Sequence, residues 1–510
     1  MRLHLSLAAA LAAAALVVAG CPEQREAQKP APRPPSGVIA AGAGALPDVL
    51  TVRRPAEPEW FGLYLVGKKA GYSKAHLVRE LRDGRDVLVG RSETVIRATV
   101  GGKSVERRQD EERVYEARPG GPLVAVRASW SGDGGDRKVE GTCARRVCKI
   151  VEDTASGRQE RTVEGVTETA DLADGVRLAG ARRGAVRGRQ LDLEKLRVKE
   201  MQDVFVRREV MSGAGVQEEV SVVSEAEVGD RMAAEYRVAD DGRIVEIRLG
   251  EAIVARPEAA DTAQRFDQID LFALARVPLP RALPRTIPAS ITYRLAGLPP
   301  TFQRGDGRQR FARAKGGETL LTVVARRPLA ADPARDTPLA RARAGADAED
   351  VAPTPQADSD SPDIIALARQ VAGDAKGTYE AAVRLSDHVY KRLEKAYGVS
   401  HDRASDVLTA GKGDCTEHSV LFVALARALG IPARGVHGLV YARYEDGGDA
   451  LYWHAWAEVK SGGEWIAIDP TFGQPVADAT HVALGEGPQV DTVGLLGALK
   501  VVGVEVKEGK

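Results

Sequence analysis

From residue 57 to residue 325, apolar and polar positions alternate with a period of two in short runs separated by glycine turns. The runs include Asp86–Gly90, Ser92–Val100, Val105–Tyr115, Leu123–Ser129, Gln217–Val223 and Glu235–Val238. Asp241-Gly242-Arg243 is a hairpin signal before Ile244-Val245-Glu246. This pattern predicts a curved antiparallel β domain over 57–275. A proline-rich connector, Arg276–Pro288, then leads to a small β unit at 289–327. Beyond residue 363 the period changes. Ala382, Leu385, Val389 and Leu393 recur at helical spacing. Ser405–Leu408 starts a short helix that Gly411 stops. The stretch GKGDCTEHSVLFVALARALG, 411–430, is apolar on nearly every face after its first turn, which predicts a helix buried on most sides. Asp414 is its N-cap, Glu417 completes a capping box, and Gly430 before Ile431-Pro432 ends it. Gly435–Arg443 and Ala450–Val459 read as strands, and Val493–Val506 alternates like a closing strand. The expected class is therefore α+β: antiparallel β domains, then a C-terminal core of helices on an antiparallel sheet, 363–510.

The helix puts Cys415 in its first turn, where unpaired N–H groups and the dipole favour a thiolate and should lower the thiol pKa. The Asp414 carboxylate opposes this, so a nearby cation is required. On the alternation of ALYWHAWAEV, Tyr452, His454, Trp456 and Glu458 share one face. With Lys460–Gly463 as the turn, Val459 opposes Glu464, and the same register sets His454 directly opposite Asp469. A cysteine at a helix N-terminus and a histidine oriented by an aspartate are the parts of a nucleophile–base–orienter arrangement. Taken singly, each has a plainer reading: a small buried thiol, a satisfied core histidine, a turn-capping aspartate. His418, three residues from Cys415, and His437 are competitors for the base. His454 is preferred because it alone has an acidic partner in register.

These residues also resemble a known family. GDC at 413–415, ALARALGIPAR at 424–434, GLVY at 438–441, His454-Ala455-Trp456 with Glu458, and Trp465 through Asp469-Pro470-Thr471 look like the transglutaminase-like core, a branch of the papain-like cysteine fold. The resemblance runs from Ile364 to Leu484. It implies Cys415 as nucleophile, His454 as base and Asp469 as orienter. The family includes cross-linking enzymes, cysteine peptidases, amide hydrolases and inactive relatives, so the resemblance implies amide chemistry through a thioester more strongly than it implies a substrate. The implied substrate is a peptide or protein amide, with no cofactor and no metal. The alternative is an inactive envelope scaffold or binding protein that uses its β domains. The oxyanion donor that can be named is the Cys415 backbone N–H.

Composition narrows the setting. Lys+Arg 72 balances Asp+Glu 72 over 510 residues, which removes any global electrostatic case for nucleic acid. The chain opens MRLHLSLAAALAAAALVVAGC, an arginine before an apolar run too short to span a bilayer. Val18-Ala19-Gly20-Cys21 resembles a bacterial lipobox, which implies a signal peptide over 1–20 and lipidation of Cys21. Pro22 follows in place of an inner-membrane retention aspartate, so the expectation is an outer-membrane anchor facing the periplasm. Residues 21–56, rich in Pro, Ala and Gly, read as a flexible tether. Residues 328–362, with a late acidic run including Asp358, read as a disordered or loosely docked linker. Cys143 and Cys148 would face each other in a hairpin turning at Arg145-Arg146. Export favours a disulfide there over a zinc site lacking two further ligands.

Overall fold

A computed structural model describes residues 46–507, apart from 101–102, 133–135, 155–156, 214–215, 230–232, 271–273, 275, 285, 287, 315, 326–332, 397–402, 445–447 and 487–494. Cys21 and the signal-peptide segment lie outside the described residues. The chain is mostly antiparallel β.

Fourteen strands, β1 (Glu59–Leu65) to β14 (Ile253–Pro257), form one sheet. Its first and last strands, β1 and β14, pair within it, and its two ends are β8 (Gly157–Glu164) and β9 (Ala185–Asp192). Those ends are consecutive in sequence, and the segment between them draws the sheet round. Thr167 N donates to Arg189 O on β9, and Leu123 N of β5 (Leu123–Gly132) donates to Glu168 O. The enclosed side holds one apolar core that includes Phe61, Leu63, Tyr115, Leu178, Tyr236 and Ile253. Two short helices, Ala170–Ala173 and Gly175–Arg182, cover it. The alternation did not predict them. A Cβ on Gly175 would come 1.9 Å from Asp203 Oδ2, so that glycine serves close packing.

Cys143 and Cys148 face each other across β6 (Arg137–Ala144) and β7 (Val147–Thr154), joined by a disulfide with Cα atoms 4.1 Å apart. Arg145 and Arg146 take the turn with positive φ.

Three expectations need correction. Residues 46–56 are not tether: Val49 and Val52 are buried in the β-domain core. The stretch after residue 332 is not a disordered linker. Asp336 accepts from Tyr379 N at 2.9 Å and Asp358 from Ser405 N at 3.1 Å, so two of its acids dock at helix starts. Finally, the C-terminal strand does not close the core sheet. It is β25 (Lys500–Lys507), and it pairs with β16 (Ser290–Ala296) of the small sheet. That sheet also contains β17 (Gln309–Arg313) and β18 (Thr319–Val324), and Val501 and Val504 are buried with Ile291 and Tyr293.

The remaining sheet carries the site. β15 (Val277–Pro278) and β21 (Ala433–Tyr444) flank β22 (Gly448–Ser461), with β23 (Glu464–Ile468) on β22 and β24 (Val482–Glu486) beyond β21. Helices Pro362–Ala372, Thr378–Arg392 and Cys415–Ala428 share an apolar cluster with Ala433, Ala457, Val459 and Ile468. One edge of β22 is shared. β15 pairs at Ala450 and Leu451, while β23 pairs only from Ala457 to Ser461. The backbone between them is left open on that edge.

Candidate active site

Cys415 starts the central helix as expected. Asp414 is the N-cap and accepts from Thr416 N at 2.8 Å, and Glu417 reaches back to accept Asp414 N at 2.8 Å. Gly413 is required beside this box, since a Cβ there would come 2.2 Å from the Glu417 Cβ. The helix start meets the open edge of β22. The Ala455 N–H, next to His454 in sequence, bonds the Cys415 thiol. Ala455 has the parity of Leu451 and Ala457, which pair on that edge, so its N–H points into the gap.

The thiol is not a stabilised thiolate at rest. Burial first, then the Asp414 carboxyl, push Cys415 well above its ordinary range, and the Ala455 N–H only partly opposes them. The expectation of a lowered thiol pKa is therefore corrected: burial and the Asp414 carboxyl push it up. Asp414 is itself raised by burial and by Glu417.

His454 and Asp469 meet, in a register different from the expected one. The turn is Gly462-Gly463, so Ser461 opposes Glu464 and Val459 opposes Ile466. A shift of two residues keeps both side chains on their face and makes them diagonal neighbours. His454 Nε2 lies 2.7 Å from Asp469 Oδ2, and both residues are buried. With Nε2 donating to the carboxylate, Nδ1 is the nitrogen left to receive a proton. Asp469 Oδ1 accepts from Thr471 N at 2.7 Å and Phe472 N at 3.0 Å. Phe472 stacks on the His454 ring, centroids 4.7 Å apart at 13°. Burial raises Asp469, but His454 and His481 outweigh it and hold the carboxyl far below its usual range.

The two competing histidines are placed differently. His418 Nδ1 donates to the Asp414 carbonyl at 2.6 Å, and burial lowers its pKa. His437 opposes Ala455 in the ladder, whereas Gly438 opposes His454, so His437 faces the other side of the sheet.

Sequence reasoning passed over a second histidine on Asp469. His481 Nε2 lies 3.0 Å from Asp469 Oδ2, and its Nδ1 lies 3.2 Å from Asp478 Oδ1. Three features bring this segment in. A Cβ on Gly438 would be 1.9 Å from Val482 O, so that glycine admits β24. Gln309 of the small sheet bonds both backbone groups of Ala483, Nε2 to O at 2.6 Å and N to Oε1 at 3.0 Å. Arg308 donates to Asp478 O at 2.6 Å. The only local sequence signal was an aspartate three residues before a histidine. His454, Asp469 and His481 place ligand atoms within 4.8 Å of one another, close enough to hold a metal ion. Here hydrogen bonds join them.

Residues 365–470 match the model of the transglutaminase-like superfamily. This segment is a transglutaminase-like domain. The match contains Cys415, His454 and Asp469 and ends before Asp478 and His481. No curated protein matches the chain. Among solved structures, a candidate cysteine protease from Cytophaga hutchinsonii is 19% identical, covering 44% of this chain and 84% of that one, TM-score 0.27. A β-barrel-like protein of unknown function, DUF1849, from Brucella abortus is 11% identical, covering 39% and 94%, TM-score 0.29. A candidate protease from Parabacteroides distasonis is 10% identical, covering 73% and 65%, TM-score 0.18. At such scores the chemistry rests on the residues of the transglutaminase-like domain themselves.

Proposed function

We propose that this chain is a thiol enzyme acting on amide bonds of peptides or proteins, with Cys415 as nucleophile, His454 as base and Asp469 as orienter. The observation that carries the reading is the open edge of β22, where the Cys415 thiol takes the Ala455 N–H one residue from a histidine fixed by a buried aspartate. Cys415 starts as the thiol. As sulfur attacks the amide carbonyl, His454 Nδ1 takes the thiol proton, and the Cys415 backbone N–H faces the developing oxyanion. The C–N bond breaks as His454 returns the proton to the departing amine, leaving a thioester on Cys415. Water resolves the thioester in a peptidase or amidase, and a lysine amine resolves it in a cross-linker. Hydrolysis is the reading placed first, since a cross-linker must exclude water. No step needs a cofactor or metal.

The proposed setting is the bacterial envelope, with Cys21 lipidated and the protein anchored on the outer membrane facing the periplasm. The lipobox-like VAGC and the Cys143–Cys148 disulfide support it. The substrate would then be a peptide or protein amide of the envelope.

The test is to incubate the chain with peptidoglycan-derived and protein-derived peptides, quench in acid and look for the adduct by mass spectrometry. An acyl group on the peptide containing Cys415, absent in Cys415→Ala, supports the reading. No adduct across both pools would favour an inactive envelope-binding protein.

A further inference from the structure

The His481 ring lies between two carboxylates, each of which already accepts hydrogen bonds on both oxygens. Asp469 takes two backbone N–H groups on Oδ1 and His454 on Oδ2. Asp478 takes Thr480 N at 2.8 Å on Oδ1 and Gln474 Nε2 at 3.0 Å on Oδ2. Carboxylates surrounded by donors are ionised and can only accept. Each nitrogen of His481 faces one of them, so each must carry a proton. A ring with two N–H groups is an imidazolium.

We propose that His481 is a positioning residue for the transglutaminase-like site: as a buried cation between Asp469 and Asp478, it clamps the Asp469 carboxylate and weakens the pull of that carboxylate on a proton at His454. The mechanism is electrostatic. The charge of Asp469 is already compensated by a cation 3.0 Å away, so it has less left to stabilise a second imidazolium on His454. The two imidazole centroids are 5.9 Å apart, and two like charges at that separation in a buried site repel. The other cation nearby, the Arg308 guanidinium, acts on Asp478 and not on Asp469. Trp456 and Phe472 present rings, at 5.2 and 6.2 Å between centroids. From the small sheet, Arg308 bonds the Asp478 carbonyl, and the buried Tyr293 hydroxyl is held far above its usual range by burial and by Asp478. Burial works against the charge on His481, but the bonds to Asp469 and Asp478 outweigh it and raise its pKa.

The consequence is specific to the chemistry. A neutral His454 is the form needed to take the thiol proton, and again to activate water on the thioester. Removing the His481 cation makes His454 more basic. The resting pair then shifts toward thiolate and imidazolium, so the sulfur reacts faster with an alkylating agent while the base for the second step is lost. A role confined to packing would slow both.

The experiment uses the full chain with 15N-labelled histidine, the variants His481→Gln and Asp478→Asn, and iodoacetamide as the thiol probe. Asp478→Asn keeps the shape around the ring and serves if His481→Gln does not fold. The expected result is two protonated ring nitrogens on His481 from mildly acidic to mildly basic pH. In a Cys415→Ser background, either variant should raise the His454 titration by about one unit, and alkylation of Cys415 near neutral pH should become about tenfold faster. A neutral His481 tautomer at neutral pH, or a His454 titration unmoved or lowered, overturns the proposal. The inference rests on the thiol-enzyme reading only for what a neutral His454 does. If wild-type alkylation proved independent of His454, that reading would fail while the charge of His481 would still be measured.

Discussion

His454 and Asp469 lie diagonal to each other on one face of the β22–β23 hairpin, and His454 Nε2 still reaches Asp469 Oδ2 at 2.7 Å. The two-residue turn at Gly462-Gly463 moves the register by an even number, so the pair keeps its face. Asp469→Asn tests what the carboxylate contributes, because the amide keeps the shape and loses the charge. The acyl-enzyme should form more slowly by on the order of 10²–10⁴-fold, read by quenched-flow mass spectrometry, with the fold intact by circular dichroism.

Asp414 gives a pH-dependent prediction. Its carboxyl is held above the ordinary value by burial and by Glu417, so the folded chain keeps a proton that the unfolded chain releases. Its contribution to stability is therefore greatest below the ordinary carboxyl range and is lost as pH rises. Asparagine caps helices as well as aspartate and can donate to Glu417. Asp414→Asn should be more stable than wild type near neutral pH, with the gap closing as pH falls toward the carboxyl range. Denaturant midpoints across that range check it.

Gln309 holds the segment carrying His481 through both backbone groups of Ala483. Gln309→Ala leaves two buried polar groups without partners, at a cost of about 1–3 kcal/mol for each. Urea unfolding should show that loss. Acyl transfer measured well below the unfolding midpoint should also fall, because the clamp on Asp469 loosens.

Gly438 admits the Val482 carbonyl beside β21, where a Cβ would come within 1.9 Å of it. Gly438→Ala should displace β24 and with it His481. Lower thermal stability together with a shifted His481 resonance is the expected pair of results.

The sequence disclosed the site in local pieces. The cap at Asp414, the box with Glu417 and the stop at Gly430 are short-range, and the structure has all three. The shared face of His454 and Asp469 was legible because parity survives an even register shift. The exact register was not, since Lys460-Ser461 could extend the strand or join the loop. Asp478 and His481 were invisible because their place depends on Gly438 admitting β24 and on Gln309 arriving from another sheet. The same holds for β25, whose alternation fits any apolar face. The charge on the thiol was misjudged because dipole arguments weigh the helix end and omit burial.

The central claim is that Cys415 reacts through His454, and the most direct measurement is the rate of Cys415 alkylation by iodoacetamide near neutral pH in wild type and His454→Ala. The account predicts a fall of on the order of tenfold or more in the variant, since the buried thiol then has no base to take its proton. Equal rates in the two proteins would contradict it.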